Sequence, residues 1–260
     1  MRNYHLVGNL KMNPITRDAA DRYLSGLREA FQGGVPESVS VSVAVPFPYL
    51  ERFADALPEG VELVAQDVFW EREGSFTGQV SPAMLRDLGV RSVLVGHSER
   101  RLYGHETDEE ISKKTSAALE AGLRAIVCIG ETAEERDAGH EAEVLEVQAD
   151  AALSAASCAS ADRIVIAYEP RWAIGTDRTP TAEEIFAARI AIRRSVAERL
   201  GRDAAERIPV LYGGSVKASL LREVCFEPGM DGVLVGRESL YPHEVGNMAH
   251  MLSECAREES

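Results

Sequence analysis

Ionisable residues stand directly after apolar, strand-like runs at three places in the sequence. Lys11 follows the first run, His97 the fourth, and Glu169 the sixth, where it precedes a proline. A charge at the end of a buried strand costs free energy unless it is paired with an opposite charge or takes part in the function of the protein. A glutamate, a histidine and a lysine that converge could transfer a proton and stabilise the negative charge that develops. These residue types therefore suggest acid–base chemistry.

Glycine-containing turns follow the seventh and eighth runs. The sequence reads YGGSV at 212–216 and VGRESL at 235–240. Such turns expose backbone N–H groups, and when a helix begins behind them they form sites for phosphate. Together with the acid–base residues, the turns suggest a small phosphorylated substrate.

Each of these residues also has an ordinary structural explanation. Lys11 could be a solvated loop lysine, His97 a hydrogen-bonded histidine at a strand end, and Glu169 a partner of Arg171 or a cap on a short helix. Taken singly, these explanations are the more probable ones. The joint occurrence of the three residues at strand ends favours a functional site.

Eight short apolar runs supply the strands that would position these residues. Most of the runs lack an alternation of apolar and polar residues, which is typical of parallel strands covered on both faces. The runs are HLVGN (5–9), VSVSVAV (39–45), VELVA (61–65), SVLVG (92–96), RAIVCIG (124–130), RIVIAY (163–168), IPVLYG (208–213) and GVLVG (232–236).

Helix signals fall between these runs. Thr107 with Glu110 and Thr181 with Glu184 have the spacing of a capping box, and Pro82 stands where a proline can open a helix. The alternation of strands and helices predicts an α/β fold. We expect a single-domain (β/α)8 barrel, with a doubly wound sheet as the alternative.

The predicted domain covers residues 1–260 without a linker or a sequence repeat. No GxGxxG motif follows the first strand, which disfavours a dinucleotide-binding fold, and neither a GxSxG elbow nor a P-loop occurs. In a (β/α)8 barrel the chemistry takes place at the carboxyl ends of the strands. The three ionisable residues would therefore meet at one rim.

The chain is acidic, with a formal net charge of −14 in 260 residues. That charge argues against nucleic acid and anionic membranes as partners, because both require basic patches. An anionic substrate would need a local positive site built against the overall field.

No motif in the sequence requires a metal or a cofactor. The four cysteines are widely scattered and form no CxxC pair, so they indicate reduced thiols rather than disulfides or a zinc site. There is no signal-peptide pattern, and no stretch approaches the roughly 18 apolar residues of a transmembrane helix. A cytoplasmic location is expected.

Seven motifs, in order and over nearly the whole chain, resemble the triosephosphate isomerase family. The resemblance implies a TIM barrel that interconverts an aldose and a ketose triose phosphate through an enediolate, without a cofactor. The motifs are GNLKMN (8–13), FTGQVSPAMLRDLG (76–89), VGHSERRLYG (95–104), CIGETAEERDAG (128–139), YEPRWAIGT (168–176), YGGSV (212–216) and VGRESL (235–240).

The resemblance also implies roles for individual residues. Glu169 would be the base, a neutral His97 would polarise the carbonyl, and Lys11 would supply positive charge. Asn9 would contact the substrate, and Glu99 would hold Lys11 in place. The phosphate would be bound by backbone N–H groups of Gly175, Ser215, Gly236 and Arg237.

Two segments would assist the site. The long connection over 66–81 would reach into a second subunit, with Thr77 near the partner's active site, so a homodimer is expected. Residues 170–179 have the composition of a lid, in which a proline precedes an apolar face and a glycine.

Some residues depart from the family pattern, and they leave two other functions open. Arg237 stands where the family typically has glycine, and Arg171 where a small apolar residue is usual; Leu10, Gln79, Asp177 and Arg178 also differ. The chain could be a paralogue that isomerises a related ketose phosphate such as erythrulose phosphate, or an inactive regulatory barrel. The joint presence of Lys11, His97 and Glu169 argues against an inactive barrel.

Overall fold

Eight parallel strands form a closed barrel in which each strand is hydrogen-bonded to the next and the eighth to the first. The computed structural model describes residues 3–174 and 178–258. Every predicted run coincides with a strand to within two residues. The strands are β1 (Tyr4–Asn9), β2 (Val39–Val45), β3 (Val61–Ala65), β4 (Ser92–Val95), β5 (Arg124–Ile129), β6 (Ile164–Tyr168), β7 (Val210–Gly214) and β8 (Gly232–Val235).

Helices lie in the connections between the strands, as a (β/α)8 barrel requires. The predicted fold class is therefore confirmed. The α-helices of the described chain are α1 (Arg17–Ala30), α2 (Leu50–Ala54), α3 (Pro82–Asp87), α4 (Ser98–Tyr103), α5 (Asp108–Glu120), α6 (Ala133–Asp137), α7 (Glu141–Ala152), α8 (Ala182–Leu200), α9 (Arg202–Arg207) and α10 (Pro242–Glu258).

The strands are buried on both faces, which explains why their sequences do not alternate. In β6, Val165 and Ala167 belong to the apolar cluster inside the barrel, whereas Ile164 and Ile166 belong to the larger cluster between strands and helices. Both faces thus remove apolar surface from water, the main favourable term in folding.

The junction of β8 with β1 closes the sheet and excludes the doubly wound alternative. His5 pairs with Gly232 there. Gly232 has φ of 146°, and a Cβ atom on it would lie 2.0 Å from the carbonyl oxygen of His5. Only glycine fits this approach. Among the residues that the structure describes, no helix is long and apolar enough to cross a membrane.

The predicted capping boxes are present at the starts of α5 and α8. The Thr107 hydroxyl accepts the N–H of Glu110, and the Glu110 carboxylate accepts the N–H of Thr107. Thr181 and Glu184 are paired in the same way. These caps fix where the helices begin and so where the preceding loops end.

Candidate active site

A cavity of about 890 Å³ opens at the carboxyl ends of the strands. Its lining includes Lys11 after β1, Ser98 after β4, Arg171 after β6, Ser215 after β7 and Gly236 after β8. Part of the rim predicted from the strand ends therefore borders one cavity, whereas Asn9, His97 and Glu169 are buried and are not among its lining residues.

Glu169 and His97 form a buried pair beside this cavity. Oε1 of Glu169 lies 3.2 Å from Nε2 of His97, and the backbone N–H of Ser98 donates to Oε2 over 2.9 Å. The two residues are 4% and 6% exposed. Burial acts to raise the pKa of Glu169, but His97 and the Ser98 N–H outweigh it and lower the pKa. Glu169 is therefore held ionised.

Helix α4 fixes the proton of His97 on one ring nitrogen. His97 is the residue that precedes α4, and its Nδ1 accepts the backbone N–H of Glu99 over 3.2 Å. An acceptor nitrogen carries no proton, so the proton of the neutral ring lies on Nε2 and faces Glu169. Burial acts to lower the pKa of His97, but the Glu169 carboxylate raises it above its ordinary value.

Lys11 is held in a left-handed conformation, with φ of 51°. The Asn9 side chain accepts the Lys11 N–H over 2.9 Å, and Nε2 of Gln66 donates to the Lys11 carbonyl over 2.8 Å. Such a conformation costs about 1–3 kcal/mol in a residue with a side chain. Its persistence indicates that the surroundings fix the backbone of Lys11 firmly.

The ammonium group of Lys11 lies 2.6 Å from Oε1 of Glu99. A Cβ atom on Gly236 would lie 3.2 Å from Cε of Lys11, so the turn after β8 lies directly against the lysine side chain. The structure thus brings Asn9, Lys11, Glu99 and Gly236 together. Sequence reasoning missed Gln66, since nothing in the sequence indicates that its side chain returns to β1.

The turns after β7 and β8 both border the cavity. The Ser215 hydroxyl donates to the carbonyl oxygen of Ala173 over 3.3 Å, which joins the turn after β7 to the segment that follows Glu169. Arg237 is exposed and begins a 3₁₀ turn that ends at Leu240. Gly175 and Asp177, also singled out from the sequence, lie outside the described residues.

Glu131 is a buried residue of the site region that sequence reasoning missed. Its Oε1 accepts hydrogen bonds from the Tyr168 hydroxyl over 3.1 Å and from Trp172 Nε1 over 2.8 Å. Arg136 forms an ion pair with it at 3.2 Å. Glu131 therefore anchors residues on both sides of Glu169. Its position after β5, within the CIGETAEERDAG motif, is the signal that could have found it.

The long connection 66–81 folds back on itself. The Phe69 N–H donates to the Val80 carbonyl over 2.9 Å, and the Phe69 ring packs against Trp70 and Phe76, with ring centroids 4.1 and 4.8 Å away. Thr77 lies exposed next to Phe76. The connection is thus a compact projection that presents Thr77 on its surface.

Gly213 in β7 lies against the side chain of Glu169. A Cβ atom on Gly213 would lie 2.9 Å from Cγ of Glu169, so Gly213→Ala is expected to push the carboxylate away from the Ser98 N–H. We expect kcat to fall about 10²-fold, because a small misplacement of a reacting group has effects of that order. The pKa seen in the kcat/KM profile should rise, because a hydrogen bond to the ionised form is lost.

Gly33→Ala is the matched control, because a Cβ atom there would meet nothing within 4 Å and the residue does not have a positive φ. An unchanged kcat and pH profile in Gly213→Ala would contradict the steric argument.

Comparisons with known proteins point to the same family as the sequence motifs. The sequence model of the family described as triosephosphate isomerase matches residues 4–252. A triosephosphate isomerase of Roseiflexus castenholzii (strain DSM 13941 / HLO8) is 44% identical over 97% of this chain and 99% of that protein. One of Alkaliphilus oremlandii (strain OhILAs) is 40% identical over 94% of this chain and 97% of that protein.

Proposed function

The chain belongs to the triosephosphate isomerase family, and from that premise we propose how its own residues interconvert dihydroxyacetone phosphate and glyceraldehyde 3-phosphate. The reaction moves a proton between two adjacent carbons of the substrate. The observation that carries the proposal is the buried Glu169 carboxylate, which pairs with His97 and accepts the backbone N–H of Ser98, a residue of the cavity that Lys11 also lines.

Glu169 is the base that takes the proton from one carbon and returns it to the other. To reach the substrate, its carboxylate must leave His97 and the Ser98 N–H. A carboxylate that is shielded from water then acts on the substrate without a competing hydration shell.

His97 donates from Nε2 to the substrate oxygens on which negative charge develops. Once Glu169 turns to the substrate, burial and the amino end of α4 favour the neutral ring. The pairing of a glutamate base with a neutral histidine is the established example of pKa tuning in this family.

Lys11 supplies the positive charge that stabilises the developing enediolate, and Asn9 contacts the substrate beside it. Glu99 holds the ammonium group at the cavity wall over 2.6 Å. A preorganised charge of this kind lowers the barrier because it needs no rearrangement during the reaction.

The phosphate binds to backbone N–H groups at the mouth of the cavity. Ser215, Gly236 and Arg237 are the described residues to which we assign this role, and Gly175 completes the assignment from the sequence. The cavity lining that includes Ser215, Gly236 and Arg237 supports it.

A coupled assay of the purified protein on both triose phosphates, beside erythrulose phosphate, tests the function. We expect turnover of the trioses to exceed that of the four-carbon compound by far, since the relatives named above do not favour the four-carbon or regulatory alternatives. Turnover of erythrulose phosphate alone, or of neither substrate, would overturn the proposal.

We further propose that the protein works as a homodimer in the cytoplasm. Large apolar side chains lie exposed around the connection 66–81 and Lys11, at the same end of the barrel; they are Met12, Ile15, Phe76, Met84 and Tyr103. A second copy would cover them, and its contact would include Thr77. The cysteines are all free, which fits a reducing compartment.

Light scattering after gel filtration is expected to give twice the mass of the chain. Met84→Glu should shift the protein toward the mass of one chain at low concentration, because it places a charge in the proposed contact. Val147→Glu in α7 is the matched control, since both side chains are 56% exposed. A wild-type mass of one chain would contradict the dimer.

A further inference from the structure

The substrate of the proposed function is an anion, and the chain carries a net charge of −14. A strongly negative protein repels a phosphate at long range, unless its binding cleft carries a local field of the opposite sign. This inference rests on the proposed function and concerns the residues that supply the local field.

Lys11 does not supply that attraction alone. Its ammonium group lies 2.6 Å from the Glu99 carboxylate, so the two charges largely cancel at a distance. The Lys11 and Glu99 pair therefore acts only at short range, on a substrate that is already inside the cavity.

Three other cations line the same cavity: Arg171 after β6, Lys217 after β7 and Arg237 after β8. We call them the cationic rim. Within residues 3–174 and 178–258, none of their side chains forms an ion pair or a hydrogen bond. The cavity is also lined by Glu134 and Glu238. The three cations of the rim still outnumber these two carboxylates, in a chain that is negative as a whole.

Arg237 has the best position of the three. It directly follows Gly236, whose backbone lies against Lys11. Its guanidinium is planar and presents a fork of N–H donors that suits phosphate oxygens. Its backbone N–H is a separate group, which remains after a change of side chain.

We propose that the side chain of Arg237, with Arg171 and Lys217, draws the dianionic substrate into the cavity and adds to its affinity. The effect is an attraction between exposed charges, so salt weakens it over a screening length of about 8–10 Å. We expect the loss of the Arg237 charge to lower kcat/KM about 3- to 10-fold at low ionic strength, because a charged cleft as a whole raises on-rates by about 10–10³-fold and Arg237 is one of the three cations of the rim.

The test compares Arg237→Gln with wild type in kcat/KM for glyceraldehyde 3-phosphate, from low ionic strength to high. The expected result is a raised KM, a nearly unchanged kcat and a deficit that shrinks as salt is added. Arg237→Lys should retain most of the wild-type value. Thermal melts check that the exposed substitution leaves the fold intact.

Arg91→Gln is the matched control. Arg91 is exposed, directly precedes β4 at the opposite end of the barrel from the cavity, and changes the net charge equally. The proposal is overturned if Arg237→Gln behaves as Arg91→Gln at every ionic strength, or if Arg237→Lys is as impaired as Arg237→Gln.

Calorimetric binding of inorganic phosphate separates this proposal from the proposed function, because it requires no turnover. Weaker phosphate binding in Arg237→Gln than in wild type supports the proposed role of the cationic rim, even if the wild-type protein turns over no triose phosphate. Equal phosphate binding by Arg237→Gln and wild type at low salt overturns the proposed role of the cationic rim, even if the isomerase activity is established.

Discussion

Replacement of Glu169 with glutamine is expected to lower kcat about 10³-fold while the barrel stays folded, since a general base contributes about 10²–10⁴-fold. The amide has nearly the shape of the carboxylate, and its oxygen can still accept the Ser98 N–H. It cannot take a proton from carbon. Turnover in both directions by a coupled assay measures the loss, and circular dichroism measures the fold.

The chemical step can be followed separately from overall turnover. In D2O the wild-type enzyme should exchange the transferred hydrogen of the substrate with solvent, and Glu169→Gln should do so far more slowly. Glu134→Gln is the control, because Glu134 is an exposed glutamate on the wall of the same cavity. Retention of more than about a tenth of the activity in Glu169→Gln would show that another group is the base, because the loss would then lie below the range for a general base.

Lys114→Met is expected to destabilise the protein by about 3–5 kcal/mol, the cost of breaking a buried ion pair from one side. Lys114 is 4% exposed, and its ammonium group lies 2.6 Å from Asp67 and 2.5 Å from Glu106. Without it, Arg100 would be the one basic partner that the described residues offer to these two buried carboxylates.

Denaturant unfolding at a fixed protein concentration measures this loss, since dimerisation would make stability depend on concentration. Lys113→Met is the control next to it in sequence. Lys113 pairs with Glu109 on the surface of α5, where an ion pair contributes little. If the two variants unfold at the same denaturant concentration, the buried network does not stabilise the fold as we infer.

The strands could be predicted from the sequence because each is a short apolar run that is buried on both faces. The positions of Lys11, His97 and Glu169 followed from strand ends, since parallel strands in one barrel place their carboxyl ends at one rim. Several helices were not predicted, among them the long helices α7 and α10. Helix α7 begins without a capping hydrogen bond from a side chain, so no local signal marks its start.

Contacts between distant parts of the chain could not be predicted from the residues alone. Gln66 and Lys11 are hydrogen-bonded although they lie 55 positions apart in the sequence. Glu131 accepts hydrogen bonds from Tyr168 in β6 and from Trp172 in the loop after β6. The space that Gly213 leaves for Glu169 depends on the separation of two neighbouring strands. A sequence pattern gives no distances between residues that lie far apart along the chain. These contacts could therefore be found only in the structure.

Glu99 acts on the site through two separate groups, its backbone N–H and its side-chain carboxylate, and a substitution can change one without the other. Its backbone N–H fixes the tautomer of His97, and its carboxylate fixes the ammonium group of Lys11. Every residue except proline supplies the first, because only proline lacks the N–H group. Only an acidic side chain supplies the second. Most substitutions at position 99 would therefore release the ammonium group of Lys11 while the proton of His97 stayed on Nε2.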